Sequence, residues 1–425
     1  MKICYVSQYF PPETCAPAAR VSELSRYFSE SGHQVTVLTG FPNHPVGVLH
    51  PDYRPKFWRF VFRENTNQVE TVRTFLLPLP NRKAHERILN YLSFFLSAAI
   101  TGMFLRKLEV VIATSPQLLV GLAGCWLARW HGVPFVFEVR DLWPESLSVM
   151  KCDGPLNSFI YRAIGRLSSF LYRHADHIVV VTTAFKDHLV AEWKIDPRKI
   201  SVVENGVETD IFAPQFNIKK EELGLADKFV VAYIGTLGLA HELKTLLDAA
   251  ADLQASRPNV VFLLIGDGAE HQKLAHYASQ LGLNNVRFLG SRRRELIPQY
   301  ICAADVCLAL LKKAAVFETV IPTKLLEFMS CGRPVIVGVR GQAQKIVEAA
   351  NAGICVEPEN SGQLANAIER LHCNPELAVR FGKNGRYYAV KNLSRRETAL
   401  KYLRLLDSIV CGRKLDEADE LAQAA

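Results

Sequence analysis

The segment IPTKLLEFMSCGRPVIV sets a lysine and a glutamate three residues apart. Pro322 stops the preceding loop and permits a helix to begin, which puts Lys324 in the first turn and Glu327 one turn later on the same face. A cation and a carboxylate side by side suit a nucleoside diphosphate. Lys324 would neutralise a leaving diphosphate, and Glu327 would accept two hydrogen bonds from a ribose diol. Hydrogen bonds to a charged group contribute about 1.5–3 kcal/mol each, so Glu327 would supply much of a nucleoside's affinity. Without its surroundings the same pair reads as an ordinary surface ion pair.

A second segment points the same way. The apolar run ending at Ile234 leads into Gly-Thr-Leu-Gly and then AHELKTLL. Gly235 and Gly238 let the backbone approach a ligand closely, and the N-terminus of the helix that follows would hold a diphosphate. A plain strand-ending turn is the other reading. Neither G-x-G-x-x-G at a strand–helix junction nor a G-K-[ST] loop occurs, which disfavours NAD and P-loop nucleotides. No Asp-x-Asp pair occurs, so a metal bridging a diphosphate has no evident ligands, and neither metal nor cofactor is expected.

The elements that must carry these residues recur along the chain. Lys2–Val6, Gln34–Thr39, Val110–Ala113, Pro134–Val139 and His177–Val181 read as buried parallel strands, with helical patterns such as Ala18–Ser31, Leu118–Trp130 and Leu156–Arg173 between them. After ENGVETDIFAP the alternation restarts with Phe229–Ile234, Val260–Ile265, Val286–Leu289, Val306–Leu310, Val335–Val337 and Gly353–Val356. Two doubly wound α/β domains, 1–200 and 201–394, are expected to face an interdomain cleft at the carboxyl ends of their strands. The helical stretch 395–412 is expected to cross back to the first domain, and 413–425 to be a loose tail.

Bulk properties agree with such a protein. The 425 residues exceed what one core supports, and 49% apolar with 22% charged residues is ordinary globular composition. Ten scattered cysteines without a C-x-x-C pair suit a reducing cytosol, and MKICYVSQYF lacks the apolar run of a signal peptide. Basic against acidic residues number about 23 to 16 over 1–200 and about 27 to 26 beyond, so the +8 excess is N-terminal. That is too little, with no accompanying motif, for a nucleic-acid binder.

Taken together, YFPPETCAPAARVSEL, GHQVTVLTGFPNHPVG, FEVRDLWPES, VVENGVETDIFAP, YIGTLGLAHELKTLLDAA, LLIGDGAEHQKL, FLGSRRRELIPQYICAADVCLALL and IPTKLLEFMSCGRPVI resemble the family 4 glycosyltransferases of the GT-B fold, over nearly the whole chain. The likeness is greatest to bacterial O-antigen and capsule transferases, including those of N-acetyl-fucosamine type sugars. The resemblance implies transfer from a UDP-sugar with retention of configuration, the donor held by the C-terminal domain and the acceptor by the N-terminal one. Glu327 matches the second glutamate of the family's E-x7-E motif. The first falls at Thr319, with Glu318 beside it as the catalytic candidate one position away. Where many relatives carry Arg and Lys after the glycine turn, this chain has His241, which shares the phosphate with Lys324 or serves as a polar cap. Gly266 and Gly268 resemble the family's nucleobase-facing edge or form an ordinary turn.

In the first domain FEVRDLWPES ends a strand where α/β sheets place ligands. Asp141 is the candidate for orienting the sugar or taking a proton from the acceptor hydroxyl, unless it merely pairs with Arg140. Many relatives have His at the position of Arg140. Arg20, Arg140 and Glu145 are the acceptor-binding candidates. Arg20 opens a helix where it would meet an acceptor phosphate or be solvated, while Glu138 and Glu145 have structural readings as well.

Ile88–Leu105 is uncharged for 18 residues and flanked by Arg82, Lys83, Arg87, Arg106 and Lys107. Strands on both sides of it must join one sheet, which argues against a crossing. An interfacial helix and a buried helix remain. Arg54, Lys56, Phe57, Trp58, Arg59 and Arg63 mix cations with aromatics, as anionic headgroups favour. With polyprenyl-diphosphate sugars as the family's usual acceptors, peripheral attachment to the inner face of the cytoplasmic membrane is expected. A UDP-sugar 2-epimerase of the same fold and a catalytically silent nucleotide-sugar-binding scaffold are the competing readings.

Overall fold

The computed structural model describes residues 1–13, 15–44, 47–66, 68–79, 84–145, 155–215 and 218–412. The chain divides into two compact units, one of Met1–Glu204 with Thr398–Ala425 and the other of Asn205–Glu397. The loose tail expected over 413–425 lies outside the described residues.

In the first unit the strands are β1 (Lys2–Val6), β2 (Gln34–Gly40), β3 (Val61–Thr66), β4 (Val69–Thr74), β5 (Val110–Thr114), β6 (Phe135–Val139), β7 (His177–Val180) and β8 (Ile200–Val202). They form one sheet in the order β3-β4-β2-β1-β5-β6-β7-β8. All neighbours are parallel except β3 against β4. Ile3 sits opposite Val35 on one side and Val110 on the other, so the order reverses between β1 and β5. The helix Arg395–Cys411 adds Ala399, Tyr402, Leu403 and Leu406 to the core of this unit. Tyr402 meets Phe28 edge to face at 5.7 Å, a favourable aromatic geometry.

The second unit carries β9 (Phe229–Ile234), β10 (Val260–Ile265), β11 (Val286–Gly290), β12 (Val306–Leu310), β13 (Val335–Gly338) and β14 (Gly353–Cys355) in the order β11-β10-β9-β12-β13-β14, all parallel. Its reversal falls between β9 and β12. Along β9, Val230, Ala232 and Ile234 join one hydrophobic cluster, while Val231 and Tyr233 join the cluster on the opposite face. Burial on both faces explains why this strand reads as an unbroken apolar run. At such a reversal the connections leave in opposite directions and open a crevice at the strand carboxyl ends. The loops after β1, β5 and β6 in one unit, and after β9 and β12 in the other, are therefore where the site residues belong.

Candidate functional site

In the second unit β9 ends at Ile234 and the chain turns through Gly235, whose N–H donates to Ile265 O at 2.8 Å. Gly235 has φ +145°, and a Cβ there would stand 2.9 Å from Lys324 Nζ. Glycine is thus required twice over, by the backbone and by the lysine above it. The neighbouring turn fits against this one. A Cβ on Gly266 would lie 1.9 Å from Gly235 O, and one on Gly268 2.4 Å from Leu237 O. Leu237 N donates to Asp267 O at 3.0 Å and Glu270 N to Leu237 O at 2.9 Å. Gly266 and Gly268 therefore hold the Gly235 turn in place. Gly238, at φ −123°, meets nothing closer than Thr236 Cγ2 at 3.5 Å, so packing leaves it free to face a ligand.

No helix begins directly after Gly238. A single 3₁₀ turn, Leu239–His241, comes first, Glu242 takes a left-handed conformation at φ 42°, and the helix Lys244–Ser256 follows. The expected helix N-terminus at the glycine turn is displaced by this reversal, and side chains must supply the positive charge there.

Lys324 supplies it. The helix Thr323–Ser330 starts after Pro322, and Lys324 Nζ donates to Tyr233 Oη at 2.8 Å, while Tyr233 Oη donates to Thr236 O at 2.8 Å. The ammonium also lies 4.1 Å from the centroid of the Tyr233 ring, a cation–π contact. Burial pushes the lysine down to about 7, against the opposing charge of Glu327. His241 packs edge-on to Tyr233 at 5.9 Å, with Nδ1 3.3 Å from Leu310 O. Burial, then the charge of Lys324, pushes His241 down to about 4, so its imidazole is neutral at pH 7. Gly235, Tyr233, His241 and Lys324 thus converge where β9 and β12 end.

Glu327, one turn on, is buried, and its Oε1 accepts from Arg294 Nη2 at 2.5 Å. The Arg294 guanidinium rests 4.7 Å above the Phe212 ring. Arg294 was not singled out from the sequence; the basic run at 292–294 after β11 is the signal that would have found it. Glu318 ends the short helix Ala315–Glu318 and is exposed. Among the described residues no hydrogen bond or ion pair joins it to Lys324 or Glu327. At the position next to it, Thr319 Oγ1 donates to Val316 O at 2.7 Å.

In the first unit the structure corrects the reading of Arg20. It is 1% exposed and clamps the buried Glu138 with Nε at 3.0 Å and Nη2 at 2.8 Å from Oε1. Its other hydrogen bonds reach the carbonyls of Val203 and Glu204. Tyr5 Oη donates to the second oxygen of Glu138 at 2.7 Å. Burial alone would raise Glu138, but the Arg20 and Arg140 charges and these hydrogen bonds hold it below the usual carboxylate range. Arg20 is a core residue rather than an acceptor contact, because a carboxylate 118 positions away claims it.

Arg140 is placed differently. Its backbone N–H donates to Ser115 Oγ at 2.7 Å, yet Nε and Nη1 are buried without a hydrogen-bond partner among the described residues. Burial, then the charge of Arg20, lowers its affinity for its proton. Trp143 Nε1 is likewise buried and unpartnered. Asp141 makes no ion pair with Arg140 among the described residues, and burial raises its carboxyl against the attraction of Arg140. Two donors waiting for an acceptor beside a half-buried carboxylate suit an anion that carries a hydroxyl group.

Glu145 is bonded within its own unit. Its Oε1 accepts from His188 Nε2 at 2.9 Å and Trp193 Nε1 at 3.0 Å, and against the pull of burial these bonds keep its carboxyl low. It therefore ties the loop after β6 to the helix Thr183–Ala191. A residue absent from the sequence reading is Glu13, in the Pro-rich loop after β1. It accepts from the backbone N–H of Asn43 at 3.0 Å, His44 at 2.9 Å and Phe10 at 3.3 Å. Burial pushes it up to about 7 despite those bonds. Among the described residues no group of three His, Cys, Asp or Glu side chains is arranged to hold a metal ion.

Comparison with known proteins covers both units. Residues 16–206 match the glycosyl transferase 4-like domain and residues 215–388 the glycosyl transferases group 1 family, together well over half of the chain. The chain is 22% identical over 414 residues to a putative colanic acid biosynthesis glycosyl transferase, WcaI, of Escherichia coli K12, covering 95% of this chain and 99% of the relative. Among solved structures it is similar to sucrose-phosphate synthase from Thermosynechococcus elongatus, with TM-score 0.79, 21% identity and coverage of 97% and 99%. It is also similar to Anabaena HepE in complex with UDP-glucose, with TM-score 0.70, 18% identity and coverage of 96% and 100%. At these identities the structures establish the fold, and the two domain matches establish the class of enzyme. A 4-like domain followed by a group 1 domain, each on its own α/β sheet, makes this chain a glycosyltransferase of the GT-B fold.

Proposed function

We propose that the chain is a retaining transferase that moves a sugar from a UDP-sugar to a saccharide carried on a polyprenyl diphosphate, without metal or cofactor, at the inner face of the cytoplasmic membrane. The observation that carries this reading is Lys324 Nζ standing directly over Gly235 where β9 ends. A desolvated cation above a bare backbone turn is suited to a diphosphate. The UDP and UDP-glucose held by Anabaena HepE, and the colanic acid setting in the name of the Escherichia coli relative, favour a uridine donor and a surface glycan.

In this scheme Glu327 accepts the ribose hydroxyls while Arg294 fixes its carboxylate, and the backbone at Gly235 and Gly238 meets the phosphates. Lys324 balances the charge that grows on the diphosphate as the anomeric C–O bond breaks. A new C–O bond forms to the acceptor hydroxyl, whose proton leaves with UDP. Asp141 orients that hydroxyl, and Arg140 with Trp143 binds the acceptor's phosphate.

A panel of UDP-sugars, N-acetylated deoxyhexosamines among them, incubated with polyprenyl-diphosphate sugars and read by mass spectrometry tests this reading. A lengthened acceptor together with free UDP supports it. A donor altered while the acceptor stays unchanged would mark an epimerase, and UDP binding without any product would mark a scaffold.

A further inference from the structure

The helix Ala84–Gly102 is two-faced in a way that its own unit does not use up. Asn90, Phe94, Ala98 and Thr101 are buried against the first sheet, whereas Ile88, Leu92, Leu96 and Ile100 remain 57%, 40%, 52% and 58% exposed. Their spacing of four residues makes one continuous stripe, and Phe104, 71% exposed, extends it.

Neighbouring elements widen the stripe. The helix Leu118–His131 lies alongside, tied by His131 Nε2 at 3.0 Å from Gly102 O, and presents exposed Trp126 and Trp130 stacked at 6.3 Å. On the other flank the exposed Phe60 ring packs on Phe75 at 5.4 Å, and the Phe75 carbonyl accepts from Ser97 Oγ of the same apolar helix. Trp58, 79% exposed, stands two residues from Phe60. Monomeric surfaces rarely leave so many large apolar side chains together without a partner.

We infer that this face docks the first unit onto an anionic lipid surface, with Leu92, Leu96 and Ile100 entering the acyl boundary and the tryptophans lying at headgroup depth. The inference rests on the membrane-side setting proposed above and identifies the face responsible. Charge selects the occupant. Residues 54–61, 84–107 and 126–130 contain Arg54, Lys56, Arg59, Arg87, Arg106, Lys107 and Arg129 against one carboxylate, Glu86. Arg82 and Lys83 lie outside the described residues. A second copy of the chain would bring like charges together across its centre, whereas anionic headgroups complement them. No helix among the described residues is long and apolar enough to cross a membrane, so the apolar helix lies in the interface. Gln8 Nε2 donates to Asn90 Oδ1 at 2.5 Å, which fastens the inner side of this helix to the loop after β1.

The full chain is tested by co-sedimentation with vesicles of phosphatidylcholine, with and without phosphatidylglycerol, while tryptophan emission is followed. Wild type should bind the anionic vesicles with a blue shift and bind the neutral ones weakly. The double change Leu96→Glu with Ile100→Glu should weaken binding at least about tenfold, and Arg106→Gln with Lys107→Gln roughly fivefold per cation removed. All these substitutions are at exposed positions, so circular dichroism and UDP affinity should stay at wild-type values. Wild type that ignores anionic vesicles overturns the inference, as does a glutamate variant that binds them undiminished. A wild-type dimer that becomes a monomer on the glutamate change, with no vesicle binding, overturns it in favour of a second copy. Vesicle binding that behaves as expected in a chain with no UDP affinity would leave the docking face standing and remove the donor reading alone.

Discussion

Lys324 Nζ and Gly235 share one small volume: the ammonium lies 2.9 Å from where a Cβ on that glycine would be. Gly235→Ala therefore meets two costs, a backbone at φ +145° that L residues avoid, about 1–3 kcal/mol, and displacement of the lysine. A lower Tm together with weaker UDP binding is expected. Lys324→Ala should retain the wild-type Tm and lower kcat by about a hundred- to a thousandfold, since it removes a charge needed as the leaving group departs. Thermal melts and steady-state kinetics on both variants check the pair; an active Lys324→Ala enzyme would remove the lysine from the chemistry.

The same lysine makes donor binding respond to pH. Burial brings it down to about 7 in the ligand-free protein, and an adjacent diphosphate must raise it. Below pH 7 the ammonium is charged whether or not UDP is bound, so its contribution to affinity is fully present and does not change with pH. As pH rises above about 7 the free protein loses the proton that the complex keeps, and affinity should fall by at most about tenfold per unit. His241, down at about 4, stays neutral throughout and contributes nothing to the slope. Calorimetric titrations of UDP between pH 6 and 9, in buffers of differing ionisation heat, should show proton uptake that Lys324→Gln abolishes.

Arg294 and Glu327 separate positioning from contact. Glu327→Ala should weaken UDP about ten- to a hundredfold and abolish discrimination between UDP and its 2′-deoxy analogue, because the variant has nothing to accept the diol. Arg294→Ala leaves the carboxylate in place but untethered. Its effect should appear mainly in donor KM, be smaller, and leave the deoxy discrimination intact; equal losses in the two variants would mean that Arg294 itself touches the nucleotide.

What the sequence disclosed and what it hid follow from separation along the chain and from burial. Strand β9 was legible because both of its faces are covered, and Lys324 with Glu327 because one helical turn brings them together. Strands β3 and β4, VFRENT and VETVRT, were passed over: their polar alternation belongs to an antiparallel pair at the sheet edge, with Gln68 at φ 64° in the connection. The helices Thr183–Ala191 and Gln342–Ala350 were missed as well, the second despite a regular apolar face of Ala343, Val347 and Ala350. The Arg294–Glu327 pair spans 33 positions and exists only once the sheet is formed. The apolar helix read equally well as buried or interfacial, since composition does not say which of its faces the sheet covers.

Arg20 and Arg140 provide the sharpest contrast, two arginines read alike from sequence and separated by their partners. Arg20 is fully hydrogen-bonded inside the core, so Arg20→Ala leaves Glu138 as an uncompensated buried charge and should cost about 3–5 kcal/mol. Arg140 keeps two buried donors without a partner among the described residues, and the charge of Arg20 opposes it further. Arg140→Leu removes an unsatisfied cation and should leave stability unchanged or raise it. If those donors are reserved for the acceptor's phosphate, the same variant should raise acceptor KM at least about tenfold while donor KM stays put. Urea unfolding and bisubstrate kinetics on the two variants read both effects. An Arg140→Leu protein that is destabilised like Arg20→Ala, or that uses the acceptor normally, would return Arg140 to the scaffold and leave the acceptor's phosphate to another group.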